Sequence, residues 1–278
     1  MPDHDFIASR SAPVIGHVGT YRRLLPVGLE RMYENVLDWE HLPFVHASTF
    51  SAVRVLDFGS CGWRAEVANH AGQSWTVAVD LDRHCQRWIT RNLDGAYAGA
   101  EVWTQAYAMD PTGAGERLQV VVDFFVPGLA DGDRDRVFRG YARLYETLYD
   151  EDVAMMAERQ RQIDRRIEGS QGAVVEVGRR QHLVLPHAVT VAGLDYVLTE
   201  VDATLVAFPA RCPHQLGPLG AAEVVNGAVS CPWHGYRFDV VTGACLSGQV
   251  CQLHPLPVVQ VTDDGLVSLQ LPGAGVTR

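Results

Sequence analysis

Arg211–Gly217 reads RCPHQLG, and Ser230–Tyr236 reads SCPWHGY. Each stretch puts one cysteine and one histidine beside a proline, with glycine close behind: Cys212-Pro-His214 and Cys231-Pro-Trp-His234. Thiolate is a soft ligand and imidazole also binds iron well, so two such pairs on two turns can clamp a metal group between loop tips. The prolines stiffen both turns. Gly217 and Gly235 are expected to let backbone N–H groups approach the sulfurs. Around the pairs run short apolar stretches with closely spaced turns: AVVEV, HLVL, VTVAGLDYVLTEV, TLVAF, PLPVVQV and GLVSLQL. That pattern predicts an all-β domain. The two pairs therefore belong to loops of a β-structure, not to a helix.

The C-x-H…C-x-x-H spacing resembles the Rieske type of [2Fe–2S] site, in which two cysteines hold one iron and two histidines hold the other. A structural zinc would accept the same four side chains. A C-x-H pair is uncommon in zinc fingers, however, and no helix carries the histidines, so the spacing favours the iron–sulfur reading. Neither motif is followed directly by another cysteine, which fits the oxygenase or ferredoxin type better than the respiratory-chain type. Cys61, Cys85, Cys245 and Cys251 have no partner at ligand spacing and read as small core or surface residues.

The chain has 278 residues, enough for two domains with cores of their own. Its 47% hydrophobic and 20% charged content is a globular balance. A formal net charge of -10 gives no basic patch for nucleic acid or an anionic membrane. No apolar run reaches membrane-spanning length. The opening MPDHDFIASR lacks the basic start and apolar core of a signal peptide, so a cytoplasmic location is expected. A disulfide framework is not expected there. All 23 basic residues are arginine. Schiff-base and P-loop lysine chemistry are thereby excluded.

Upstream of the cysteine–histidine pairs, periodicity near 3.6 residues predicts a helix from about Tyr21 to Phe50, broken at Pro43. Alternating segments follow: WRAEVANH, QSWTVAVDLD, QRWITRNL, AEVWTQAYAMD and RLQVVVDFFVPG. They predict an antiparallel sheet built from hairpins. Arg136–Ile167 then reads as one long helix, with an apolar stripe through Tyr141, Leu144, Tyr145, Leu148, Val153 and Met156. The stretch EGSQG, Glu168–Gly172, reads as a linker between domains at residues 1–168 and 173–278.

A second cluster lies near the start: Glu34-Asn35, then Asp38, His41 and His46 in a D-x-x-H-x-x-x-x-H pattern. Histidines near a helix end are ordinarily surface or capping residues. Asp38 and His41 share a helix face. His41 and His46 converge only if the chain bends at Pro43.

The stretch ENVLDWEHLPFVHASTF, Glu34–Phe50, is similar to the iron-binding stretch of Rieske non-heme iron oxygenases, the alpha-subunit type that hydroxylates aromatic rings. The resemblance runs from about Tyr21 to Gln270. It implies an α+β chain: a helix-grip, START-like catalytic domain with an antiparallel sheet and a long C-terminal helix, then an all-β Rieske domain. It implies that His41 and His46 hold a mononuclear Fe(II), with Asp152 of YDEDVAMMAERQ as the third ligand and Asp150 and Glu151 as competitors for that role. Asp38 would bridge iron and cluster, and Asn35 would lie near the open iron position. Two features depart from the family: the domain order is reversed, and the catalytic half is short.

The activity implied is O2-dependent oxidation of a small organic substrate, monooxygenation before dioxygenation, by hydroxylation, dealkylation or desaturation. No Gly-rich dinucleotide fingerprint follows a strand. A separate NAD(P)H-dependent reductase is thus implied, with or without a ferredoxin, as is a homo-oligomer, a trimer by family custom. The competing readings are a Rieske electron carrier fused to a ligand-binding domain, an oxygenase that has lost activity and acts by binding, and a zinc protein. Phe44, Phe50, Trp63, Trp75, Trp88, Trp103 and Phe124 supply aromatic surface, most of it for the core and some for an apolar pocket.

Overall fold

The computed structural model describes residues 16–109, 117–165 and 172–273. The expected linker falls outside them, apart from Gly172. The chain divides into two compact units, one up to Ala157 and one from Glu158 onward.

The first unit is a seven-stranded antiparallel sheet with a long helix. Its strands are β1 (His17–Leu25), β2 (Ala52–Gly59), β3 (Gly62–Ala68), β4 (Ser74–Asp82), β5 (Arg87–Asn92), β6 (Glu101–Ala108) and β7 (Leu118–Phe125). They lie in the order β1-β7-β6-β5-β4-β3-β2, so hairpins build the sheet and the first strand closes onto the last. Side chains alternate across a strand, and β7 shows the result. Leu118, Val120, Val122 and Phe124 are fully buried, while the residues between them face the other way. Helices α1 (Leu29–Leu37) and α2 (Leu42–Val45) follow β1, and α3 (Arg134–Asp164) follows β7. The 31 residues of α3 span about 46 Å. Tyr149 and Met156 of α3 join Leu25, Val122 and Phe124 in one core, and Tyr145 meets Phe124 edge-on at 5.2 Å. The unit is a helix-grip fold.

Three expectations for this half need correction. The helix predicted from Tyr21 does not start there: Tyr21–Leu25 belong to β1 and pair with Val122–Leu118 of β7. YRRLL also fits strand alternation, and pairing with the distant β7 decides the matter. Pro43 does not break a helix either. The break falls at Asp38–His41, and Pro43 sits inside the first turn of α2, where a missing N–H costs nothing. Strand β2 has no counterpart among the expected segments. The long helix is as expected in kind, running Arg134–Asp164, and the expected end at Ile167 lies outside the described residues.

The second unit is all-β after the last turns of α3. Its strands are β8 (Val174–Arg179), β9 (His187–Val191), β10 (Leu194–Val201), β11 (Thr204–Pro209), β12 (Val224–Val225), β13 (Ala228–Ser230), β14 (Arg237–Asp239), β15 (Val258–Val261) and β16 (Leu266–Gln270). They form three three-stranded sheets: β11-β10-β9, β12-β13-β14 and β15-β16-β8. Val191, Leu198, Val267 and Leu269 form its core. HLVL does not form the strand it suggests. It leads instead to Pro186, whose missing N–H suits a strand edge, and β9 starts at His187. Among the described residues, no helix is long and apolar enough to cross a membrane.

Candidate metal centres

Cys212 lies on the loop between β11 and β12, and Cys231 on the loop between β13 and β14. The two loops repeat one backbone pattern. Leu216 N–H donates to Cys212 O and Cys212 N–H to Gly217 O, at 2.9 and 2.8 Å. Gly235 N–H donates to Cys231 O and Cys231 N–H to Tyr236 O at the same two distances, 2.9 and 2.8 Å. Each loop turns through one left-handed residue, Leu216 with φ 63° and Gly235 with φ 66°. The left-handed position in the first loop is thus Leu216 and not Gly217. Gly217 serves a different need, because a Cβ there would sit 2.7 Å from Cys231 Sγ.

Cys212 and Cys231 are both 1% exposed, and the two thiols are in hydrogen-bonding contact. The bond from Cys212, against burial and with help from His234, lowers the Cys231 thiol. The same bond and burial push Cys212 up. Backbone N–H groups of His214 and Gln215 face the Cys212 sulfur, and those of Trp233 and His234 face Cys231. The rings of His214 and His234 stand edge to face, 4.6 Å between centroids. Two converging thiols, two converging imidazoles and a space that only glycine keeps open fit a [2Fe–2S] cluster with Cys212, Cys231, His214 and His234 as its ligands.

In the first unit, His41 is the residue before α2 and His46 the residue after it, so a single helical turn brings the rings to 4.9 Å. Asp152 comes from α3. All three are buried, and one ligand atom of each lies within 4.8 Å of the others. The Nε2 atoms of His41 and His46 lie 3.5 and 3.1 Å from Asp152 Oδ1. Asn35 Nδ2 donates to the same oxygen at 2.9 Å. Behind the rings stand two further carboxylates: Glu151 Oε2 is 2.7 Å from His46 Nδ1, and Asp38 Oδ2 is 3.7 Å from His41 Nδ1. At that distance the buried His41 Nδ1 has no hydrogen-bond partner among the described residues. Burial disfavours charge on His46, but the hydrogen bond and charge of Asp152, with Glu151 behind, outweigh it and raise the imidazole above its ordinary value. Asp152 is held low by His46, His41 and Asn35 against the burial that would raise it. Two imidazoles and one carboxylate on one side of a point are the donor set of non-heme iron, and this set fits such an ion.

Of the acids in YDEDVAMMAERQ, only Asp152 joins both histidines. Asp150 is exposed and pairs with Arg23, and Glu151 reaches His46 from behind. The Glu151 contact is not foreseeable from spacing. Its one signal is the acidic run itself, which turns neighbouring side chains to different helix faces.

The triad opens into a cavity of about 640 Å³ between the sheet and α3. Phe50, Trp63, Trp75 and Trp88 line it, with Tyr145 and Tyr149 from α3. The tyrosine hydroxyls bond Thr90 and Thr104, and burial keeps both protonated. Phe124 is core, and Phe44 is exposed.

Residues 172–259 match the model of the Rieske [2Fe-2S] domain. No curated protein sequence matches the chain. Among solved structures, the ferredoxin of carbazole 1,9a-dioxygenase from Nocardioides aromaticivorans is 25% identical over 36% of this chain and 98% of that one, with a TM-score of 0.32. The Zhui aromatase/cyclase from a Streptomyces species is 17% identical over 52% of this chain and 96% of its own, with a TM-score of 0.42. The terminal oxygenase of carbazole 1,9a-dioxygenase from a Novosphingobium species is 24% identical over 38% of this chain and 31% of that one, at 0.32. The family match at residues 172–259 places a Rieske domain in the second unit, and that domain indicates a [2Fe–2S] cluster.

Proposed function

We propose that the chain is a Rieske-type non-heme iron oxygenase with its catalytic domain, residues 1–168, ahead of its Rieske domain, residues 173–278. The observation that carries this reading is the buried His41, His46 and Asp152 set, open to a large apolar cavity in a chain that also has a Rieske domain. When bound, the cluster supplies single electrons and the mononuclear Fe(II) activates O2.

The side chains divide the remaining work. His41 and His46 would hold the ion through Nε2 and Asp152 through a carboxylate oxygen, a donor set that leaves positions for O2 and substrate. Glu151 accepts a hydrogen bond from His46 Nδ1–H, which fixes the tautomer that frees Nε2. Asn35 donates to Asp152 and holds that carboxylate in place. Asp38 stands 3.7 Å behind His41 Nδ1, beyond hydrogen-bond reach, and is the residue through which the resemblance links iron to cluster. The cavity holds an apolar organic molecule and keeps bulk water off the reacting atoms. The short catalytic half and the single-chain layout favour a small substrate and one inserted oxygen atom, a hydroxylation or dealkylation. Electrons come from a separate NAD(P)H-dependent reductase, directly or through a ferredoxin, and the assembly is a trimer.

The test is a metal count on protein purified anaerobically. The expected content is about three irons and two sulfides per chain. His41→Ala, His46→Ala or Asp152→Ala should each remove one iron and keep the visible spectrum of the cluster. About two irons per chain, unchanged by those substitutions, would replace this reading with an electron carrier fused to a ligand-binding domain. Three irons without substrate-dependent O2 uptake, with a reductase present, would mark a binding protein instead.

A further inference from the structure

Cys245 and Cys251 look unrelated in sequence, yet the fold sets them face to face. Ala244 and Gln252 form an antiparallel bridge. Cys245 and Cys251 are the next residues inward from that bridge, with Leu246–Val250 closing the loop between them. Residues opposed across antiparallel chains have Cα atoms about 4.5–5.5 Å apart. A disulfide spans Cα separations of about 4.4–6.8 Å. The two thiols are already in hydrogen-bonding contact, and both residues are half-buried, so small reagents can reach them.

We infer that Cys245 and Cys251 form a redox-active dithiol that closes to a disulfide within the folded Rieske domain. The reaction needs a two-electron oxidant, and a low-molecular-weight disulfide such as oxidised glutathione suffices. One cysteine thiolate attacks a glutathione sulfur, forms a mixed disulfide and releases one glutathione thiolate. The second cysteine thiolate then attacks the protein sulfur of that mixed disulfide and releases the other. The protein loses two electrons and two protons, and two molecules of reduced glutathione carry them away. The pair resists the first step at neutral pH: burial, with Cys245 alongside, pushes the Cys251 thiol up to about 11. Closure should therefore speed up as pH rises.

The pair is also tied to the second cluster loop. Leu246 N–H donates to Arg237 O at 2.8 Å, and Arg237 N–H to Ser247 Oγ at 2.9 Å. Arg237 opens β14, three residues after His234. A closed disulfide would staple the far end of the segment that lies along this strand.

The experiment uses the full chain with its cluster in place. One sample is held with dithiothreitol and another with oxidised glutathione. Both are quenched in acid, alkylated and digested with trypsin. The tryptic peptide Phe238–Arg278 contains Cys245, Cys251 and no other cysteine, and has no internal cleavage site. The reduced sample should give this peptide with two alkyl groups. The oxidised sample should give it unalkylated and two hydrogens lighter, with cluster absorbance unchanged. Cys245→Ser and Cys251→Ser should each stop at the mixed disulfide. Because the fold holds the thiols together, the glutathione ratio that half-closes the pair should be at least about tenfold more reducing in the native chain than in the same chain unfolded in guanidinium. Two alkyl groups after oxidation, pairing with Cys61 or Cys85 instead, or the same half-closing ratio in folded and unfolded chain would each overturn the inference.

Discussion

Gly217→Ala tests whether the cluster loops are packed around the metal group or merely near it. The φ of Gly217 is not left-handed, so alanine meets no backbone penalty there. The added methyl would lie 2.7 Å from Cys231 Sγ and 3.2 Å from two ring atoms of Trp233. Ordinary contact begins near 3.4 Å, so the sulfur would have to retreat by 3.4 − 2.7 = 0.7 Å. That is close to a third of a metal–thiolate bond of about 2.3 Å. Cys231 cannot follow freely, because its N–H is bonded to Tyr236 O and its C=O accepts from Gly235. Overpacking of this kind costs about 1–3 kcal/mol, which is roughly a five- to 150-fold loss in the equilibrium that retains the cluster. The assay is iron and sulfide per chain, visible absorbance and melting temperature. Gly273→Ala is the control, since a Cβ there meets nothing within 4 Å and its φ is not left-handed. A Gly217→Ala chain with a full cluster and unchanged melting would show that the loops do not close on Cys231 as described.

Glu151→Gln should weaken mononuclear iron binding by about 10–100-fold and leave the cluster spectrum alone, as read by metal count after dialysis against a chelator. Asp150→Ala, which removes only an exposed ion pair with Arg23, should leave both metals in place. Asn35→Ala should destabilise the chain by about 1–3 kcal/mol in denaturant melts, because it strips a donor from a buried carboxylate. In metal-free protein, the raised His46 contributes stability that is present below its unfolded pKa of about 6.5 and lost as pH rises through the higher folded value. The lowered Asp152 contributes stability present above about 3.9 and lost as pH falls through its lower folded value. Melting temperature against pH should therefore show a plateau between those limits that His46→Gln abolishes. Asp38→Ala should keep iron and cluster but slow reoxidation of the reduced cluster by substrate and O2. In a trimer joined head to tail, mixing His214→Ala with Asp152→Ala chains should restore part of that reaction, and coassembly without recovery would confine transfer to one chain.

What could be read in advance depended on how far apart the cooperating residues lie. Each Rieske pair sits within four residues, so spacing alone presented Cys212 with His214 and Cys231 with His234. The iron set is different. His41 and His46 share one turn, but Asp152 arrives from α3, and only the resemblance pointed to it over Asp150 and Glu151. The geometry separates the three by helix rotation: successive residues point about 100° apart. Asp152 faces the histidine rings and Glu151 the back of one of them, while Asp150 faces Arg23 and solvent. The failure at Tyr21–Leu25 has the same root. Five residues with mixed periodicity suit helix or strand equally, and the choice belongs to β7, about a hundred residues downstream, which offers an open edge. Cys245 and Cys251 were unreadable for a related reason. A separation of six residues suggests neither a helix face nor a metal motif, and acquires chemistry only once the intervening loop doubles back on itself. Local motifs thus report which groups are available, and the contacts that set their tautomers, charges and partners come from strands and helices that meet only in the folded chain.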